Sequence, residues 1–261
     1  MATTRKSRSR FYIYAIIEAD QARPLGKVGL KGAAVNCIVE QGLAAVVSKT
    51  EETRVRPQRA NIVVHNGVVK QLTDAGVACL PLAFGTIAAN EGAVRALLRE
   101  EHDTLLEQVR FFHDKVEMGL RVKFDVSNIY QYIMDSHPEL RHLRDQVFGA
   151  QHDPGRDAKV ELGRVFDRLL NEDRQTYRDK VQPALEAVSE EVRVNDPRND
   201  HEIINLACLV RRDRVKEFED TVVKAAGQFG NEVAFNYSGP WAPFNFIDVR
   251  FDAERLHAHS G

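Results

Sequence analysis

The sequence predicts an α+β protein of two domains, on three observations. Short aromatic and β-branched runs alternate with helix-period segments near both ends of the chain. The middle is helix-period alone, with charged outer faces. The 261 residues, 43% of them hydrophobic, are enough to build two cores without metal or disulfide staples.

Residues 11–17, Phe-Tyr-Ile-Tyr-Ala-Ile-Ile, predict a buried strand. A loop with Gly26, Gly29 and Gly32 follows, a flexible connection by composition. Residues 35–40 and 43–48 flank Gln41-Gly42 as the arms of a hairpin. Pro57 suits the first turn of a helix; Ile62, Val63, Val68, Val69 and Leu72 continue it, and Gly76 ends it. Residues 77–82 return as a strand. The order β-β-β-α-β is compatible with a ferredoxin-like sandwich in which a loop replaces the first helix, its sheet covered on one face.

Farther on, Val94, Leu97, Leu98, Leu105, Val109, Phe112 and Val116 predict one helix of about 27 residues, roughly 40 Å long. Val160, Val165, Leu169, Tyr177, Val181, Leu185 and Val188 predict a second, kinked or restarted at Pro183. The two suggest an antiparallel pair of long amphipathic helices projecting from, or bridging, the globular parts. Residues 122–126, 201–210, 231–237 and 245–249 read as strands, and 213–228 as a helix capped by Asp213. The expected division is a disordered basic tail (1–10), an N-terminal ferredoxin-like domain (11–90), a C-terminal α+β ferredoxin-like domain that includes the long helices (91–238), and a Pro/aromatic segment with the C-terminal tail (239–261).

Lys and Arg number 36 against 38 Asp and Glu, which argues against a polyanion-binding specialist. Cys37, Cys79 and Cys208 lack Cys-x-x-Cys spacing, so a disulfide framework or cysteine zinc site is not expected; a reducing cytosol is. Cys79 and Cys208 lie in apolar runs as small buried hydrophobes. No apolar stretch approaches the roughly 20 residues of a membrane span, and no signal core follows Arg5, Lys6, Arg8 and Arg10. The expectation is a soluble cytoplasmic protein with no membrane partner.

Catalytic constellations are missing. His201-Glu202 opens like a zinc-protease helix, but Asn205 stands four residues on from His201 and the pattern is strand. The pairs His137/His142 and His257/His259 sit in polar surroundings that favour surface histidine. Ser238-Gly239 lacks the first glycine of a nucleophile elbow, and the glycine loop lacks the ending of a phosphate loop. No catalytic, cofactor-binding or metal-binding residue is expected, and no enzyme. Base stacking on Phe11, Tyr12 and Tyr14 makes a single-stranded nucleic-acid binder a distant alternative, but the aromatic recognition signature is absent, so no nucleic-acid partner is expected.

Two segments stand out: Cys79-Leu80-Pro81-Leu82-Ala83-Phe84-Gly85-Thr86-Ile87, and Ser238-Gly239-Pro240-Trp241-Ala242-Pro243-Phe244 with its aromatic neighbours. The single tryptophan sits between two prolines that fix a rigid, extended turn. Trp241 reads either as a core plug in the seam between domains or as an anchor in a docking patch. With the Tyr-Ile-Tyr strand, His65 and the Asn-x-Ala-Cys-Leu-Val run at 205–210, these segments resemble the gas vesicle protein L/F family from Phe11 to Val249. Ala242, Phe244 and Ala83 depart from the commoner proline, tyrosine and larger polar residue of that family, which removes a hydroxyl or charge there.

The resemblance implies a non-enzymatic accessory protein, cytoplasmic and associated with the gas vesicle. It would bind the hydrophobic major shell protein, and other gas vesicle accessory proteins, and assist nucleation of the vesicle. A minor structural component of the shell is the alternative. The docking surface expected from these readings is the N-terminal sheet at Tyr12 and Tyr14, then Phe84, Trp241 and Phe244.

Overall fold

The computed structural model describes residues 9–149 and 155–247. Most of the expected basic tail, His257 and His259, and the end of the chain lie outside the described residues. Two compact units form: one runs to Glu117 and resumes at Pro240, the other spans Met118–Gly239. Residues 91–117, expected in the second domain, therefore belong to the first.

In the first unit, β1 (Arg10–Glu18), β2 (Val35–Glu40), β3 (Leu43–Thr50), α1 (Arg59–Asp74), β4 (Cys79–Pro81) and β5 (Ile87–Ala88) follow the predicted sequence of strands and helix. The sheet order is β2-β3-β1-β4, β5 also pairs with β1, and every pairing is antiparallel. As the central strand, β1 is buried over all of residues 11–17, which is why it shows no apolar–polar alternation.

The β1–β3 register slips between Ile13 and Ala15, making Tyr14 a bulge. The extra residue changes which positions share a face. Tyr12 and Tyr14 lie in one core cluster with Ala15 and Ile17, packed with Val68, Val69 and Leu72 of α1. At the end of α1, Gly76 at φ 78° lets its N–H reach Thr73 O at 3.1 Å while Val77 N–H reaches Leu72 O at 3.0 Å. Pro57 lies just outside this helix, whose N-cap is Gln58.

The single 27-residue helix does not form. It is replaced by α2 (Glu91–Glu100) and α3 (His102–Phe111), broken at Glu101, and Val116 falls in the next strand. Both pieces are tied to the β2–β3 hairpin. Arg95 donates to Val39 O at 2.6 Å and to Glu40 at 3.2 Å, Arg99 donates to Glu40 at 3.2 Å, and His102 Nε2 meets Gln41 O at 2.9 Å. The break folds Leu105 and Val109 back, so that α2 and α3 pack against β1. Ile13 and Ile16, outside the α1-side cluster, are buried as well. The sheet is thus covered on two faces, where the sequence suggested one.

The glycine loop is fixed rather than flexible. Gly26 bridges to Val35, and Leu30 N–H donates to the Tyr14 hydroxyl at 2.9 Å. A Cβ on Gly29 would stand 2.8 Å from both the Ala33 carbonyl oxygen and the Tyr14 hydroxyl. Gly29→Ala is expected to cost about 1–3 kcal/mol, read as a fall in denaturation midpoint.

In the second unit, β6 (Lys115–Phe124), β7 (Glu191–Val194), β8 (Glu202–Arg211) and β9 (Val233–Trp241) form a sheet in the order β7-β8-β6-β9. Leu120, Val122 and Phe124 are buried between exposed Arg121 and Lys123, whereas the inner strand β8 is buried along nearly its whole length. Helices α4 (Ile129–Ser136), α5 (Pro138–Phe148), α6 (Arg156–Glu186) and α7 (Val215–Ala226) complete the unit.

The expected antiparallel pair of long helices is absent. The 31-residue α6 packs on β8 and against α4, α5 and α7, burying Phe166, Leu169, Leu170, Val181 and Leu185. Pro183 is accommodated in its last turn. Asp213 is not the cap of α7: it lies in a short 3-10 turn, held by Arg211 at 3.0 Å, and Arg214 occupies the N-cap position. Residues 244–246 are a 3-10 turn, not the start of a strand.

Candidate functional site

The two segments singled out in the sequence meet on α1. His65 occupies the apolar stripe of that helix, three, four and seven residues before Val68, Val69 and Leu72, and is 1% exposed. Four aromatic rings surround its imidazole. Tyr12 and Tyr14 are centred 5.7 Å away, Phe84 5.8 Å and Phe244 6.3 Å.

Hydrogen bonds fix this floor. Gly85 N–H donates to the Tyr12 hydroxyl at 3.0 Å, and that hydroxyl pairs with His65 Nδ1 at 3.0 Å. The neutral imidazole either accepts the Tyr12 O–H at Nδ1 or donates an Nδ1 proton to that oxygen, according to its tautomer. Nε2 is buried and makes no well-formed hydrogen bond, the Leu82 carbonyl being its nearest acceptor in effect. Burial lowers the His65 pKa from 6.5 to about 4, the Leu82 carbonyl offsetting part of the effect. Burial likewise pushes Tyr12 up to about 12 and raises Tyr14, against the hydrogen bonds to Ser48 and Leu30. All three are neutral at pH 7, so the floor is uncharged.

Tyr12 and Tyr14 are fully buried and offer no surface to a partner. This corrects their assignment to a docking surface, and it removes the rings on which a nucleic-acid base would stack. Phe84 is half-buried beside them. Trp241 and Phe244 are each 38% exposed, so Trp241 is not a sealed core plug. Lys70 of α1 holds its ammonium 5.3 Å from the Trp241 ring centre while pairing with Asp74 at 2.6 Å.

The segment carrying these rings is pinned by a residue that the sequence reading passed over. Glu117, 7% exposed, accepts from Asn245 N–H at 2.8 Å and from Asn245 Nδ2 at 2.6 Å. Its signal in the sequence is an acid between Val116 and Met118 in an apolar run. Ala242 beneath is buried in the first unit's core. Glu117→Gln exchanges one acceptor oxygen for a donor and weakens the other bond. The expected cost is about 1.5–3 kcal/mol, with faster amide exchange over residues 241–246 as the measurement.

Among the described residues, no group of three or more His, Cys, Asp or Glu could hold a metal ion. His137 pairs with Asp173 at 2.9 Å and His142 with Gln146 at 3.0 Å. Ser238 lies inside β9, not on a strand-to-helix turn. No described helix is long and apolar enough to cross a membrane. The Pro/aromatic segment presents Trp241 and Phe244, both exposed, above a neutral aromatic floor.

The chain is thus a mixed α+β protein with one sheet in each unit and an aromatic cluster around His65 in the first. The model of the gas vesicle synthesis protein GvpL/GvpF family matches residues 10–248, and the chain belongs to that family. Gas vesicle protein F of Streptomyces sp. strain CB03234 is 28% identical over 240 residues, 91% of this chain and 99% of that one. The crystal structure of GvpF from Anabaena sp. PCC7120 superposes with a TM-score of 0.77 at 24% identity, over 93% of this chain and 100% of that one. GvpF from Microcystis aeruginosa gives 0.75 at 22% identity, over 91% and 98%. The two structures share the fold, and family membership gives the chain a role connected with gas vesicles.

Proposed function

We propose that this chain is a cytoplasmic accessory protein of gas vesicle assembly that binds the hydrophobic major shell protein and assists nucleation. The supporting observation is the exposure of Trp241 and Phe244 on a segment held by Glu117 and floored by His65. A rigid anchor loses little conformational entropy on docking, so its apolar area converts efficiently into affinity. A hydrophobic shell subunit needs such cover before assembly, or non-specific association wins.

In this reading Phe84, Trp241 and Phe244 touch the partner, whereas Tyr12 and Tyr14 support them from below. Other gas vesicle accessory proteins are further partners. We read the first sheet, with its 2-3-1-4 order and the α1 crossover, as a ferredoxin-like variant whose first helix is a loop.

The test is co-purification of this chain with the major shell protein, alongside vesicle formation in cells lacking it. Stoichiometric association and loss of vesicles are expected. No association, with vesicles still formed, would overturn the proposal. Retention on urea-washed vesicles would instead make the chain a minor structural component of the shell.

A further inference from the structure

The second unit carries an apolar groove that the shell-binding reading does not use. It lies among α4, α5 and α6, has a volume of about 460 Å³, and is lined by Tyr130, Met134, Phe148, Leu162 and Phe166. Tyr130 and Phe148 remain 55% and 53% exposed. Single exposed aromatics are ordinary, but two on one concave apolar lining are the anatomy of a contact surface.

Two further observations say what fits there. Gly163 lines the groove from inside the 31-residue α6, two turns in from its N-terminus. Glycine weakens a helix interior relative to alanine, yet a Cβ at this position would meet no atom within 4 Å. Among the described residues no packing contact calls for glycine, whereas the close approach of another backbone would. The rim is also acidic. Asp167 is exposed, and Asp200 accepts from the Tyr130 hydroxyl at 3.1 Å. Among the described residues neither carboxylate has a cation within ion-pair distance; Arg174, which donates to the Asp200 carbonyl oxygen at 3.3 Å, acts on both from farther away, and Lys159 is the only basic residue among the described lining.

We infer that this groove is a docking site for an amphipathic helix of another protein. The helix would lay its apolar face over Leu162 and Phe166, pass close to Gly163, and set a Lys or Arg against Asp167 and Asp200. The groove between packed helices suits apolar anchors spaced i, i+3 or i+4, and i+7, and the acidic rim sets direction and excludes acidic faces. The site does not depend on the shell-protein reading, and either can fail without the other.

A fluorescent 18-residue Leu/Ala/Lys helical peptide, titrated into the full chain and followed by anisotropy, tests the inference. Saturable binding is expected, at least tenfold weaker for a matched peptide with Glu in place of Lys. Asp167→Asn combined with Asp200→Asn should erase that preference. Gly163→Ala should raise the melting temperature while weakening binding, and Gly163→Leu should abolish binding with the circular dichroism spectrum unchanged. A merely surface-exposed glycine would give the stabilisation without the loss. Absence of saturable binding, equal affinity for the two peptides, or full binding by Gly163→Leu would overturn the site. A dimer seen in sedimentation velocity and dissolved by Gly163→Leu would overturn the assignment to another protein by making the occupant a second copy.

Discussion

Lowering the pH from 6.5 to 4 should remove about 3 kcal/mol of folding stability through His65 alone. The unfolded chain protonates this imidazole near 6.5. The folded chain resists protonation down to about 4, because burial disfavours the charged ring. Between those values the unfolded state binds more protons, so stability rises with pH; the contribution is fully present above 6.5 and lost as the pH falls through 4. Tyr12 and Tyr14 stay neutral throughout and supply no counter-charge. His65→Gln keeps an acceptor for the Tyr12 hydroxyl and cannot titrate. Denaturant unfolding of both proteins across this range should show their stability difference shifting by about 3 kcal/mol in favour of the variant at low pH. Parallel curves would mean that the ring is hydrated or charged in the native state.

Much of the fold was legible because the strongest local signals were also the tertiary ones. The Tyr-Ile-Tyr strand is apolar on both faces because it is central, and Gly76 stops α1 by adopting the left-handed conformation expected of it. The break at Glu101 was not legible. Leu98 and Leu105 keep helical spacing across it, and the cause lies more than fifty residues away, in the hairpin carbonyls and Glu40 that capture Arg95, Arg99 and His102. A periodic pattern reports which residues are buried, not whether the rod bends to bury them.

The candidate site was half legible for a related reason. His65, Phe84, Trp241 and Phe244 stood in distinctive strings, and their convergence follows once the chain returns to the first unit after β9. Tyr12 and Tyr14 were misjudged because aromatics on a sheet look alike in sequence whether a helix covers them or not. Their burial follows from α1 packing on that face of the central strand, a tertiary contact that composition does not record. The Glu117–Asn245 pin spans 128 residues and left as its only local trace an acid in an apolar run.

On the proposed function, Trp241→Ala combined with Phe244→Ala should weaken capture of the major shell protein at least 100-fold while leaving the chain folded. Interface anchors of this kind each contribute about 2 kcal/mol or more, or roughly 30-fold per ring, with some coupling between neighbours. A fully buried aromatic would cost about 3–5 kcal/mol of folding stability when truncated. These two are 38% exposed. Trp241 forfeits the Lys70 contact, worth about 0.5–1 kcal/mol at an exposed site, and a fraction of its burial, so about 1–2 kcal/mol is expected for each. Phe111→Ala is the matched control: that ring is 49% exposed and carries Lys115 at 3.7 Å, but it stands on α3 and not on the Pro/aromatic segment. Its loss should leave capture unchanged. Equilibrium unfolding and titration of immobilised shell protein, run on the three proteins together, separate the roles. A double variant that loses 3 kcal/mol or more per ring yet binds as before would return Trp241 and Phe244 to the core, and an equal loss of binding in Phe111→Ala would make the effect one of general surface hydrophobicity rather than of this segment.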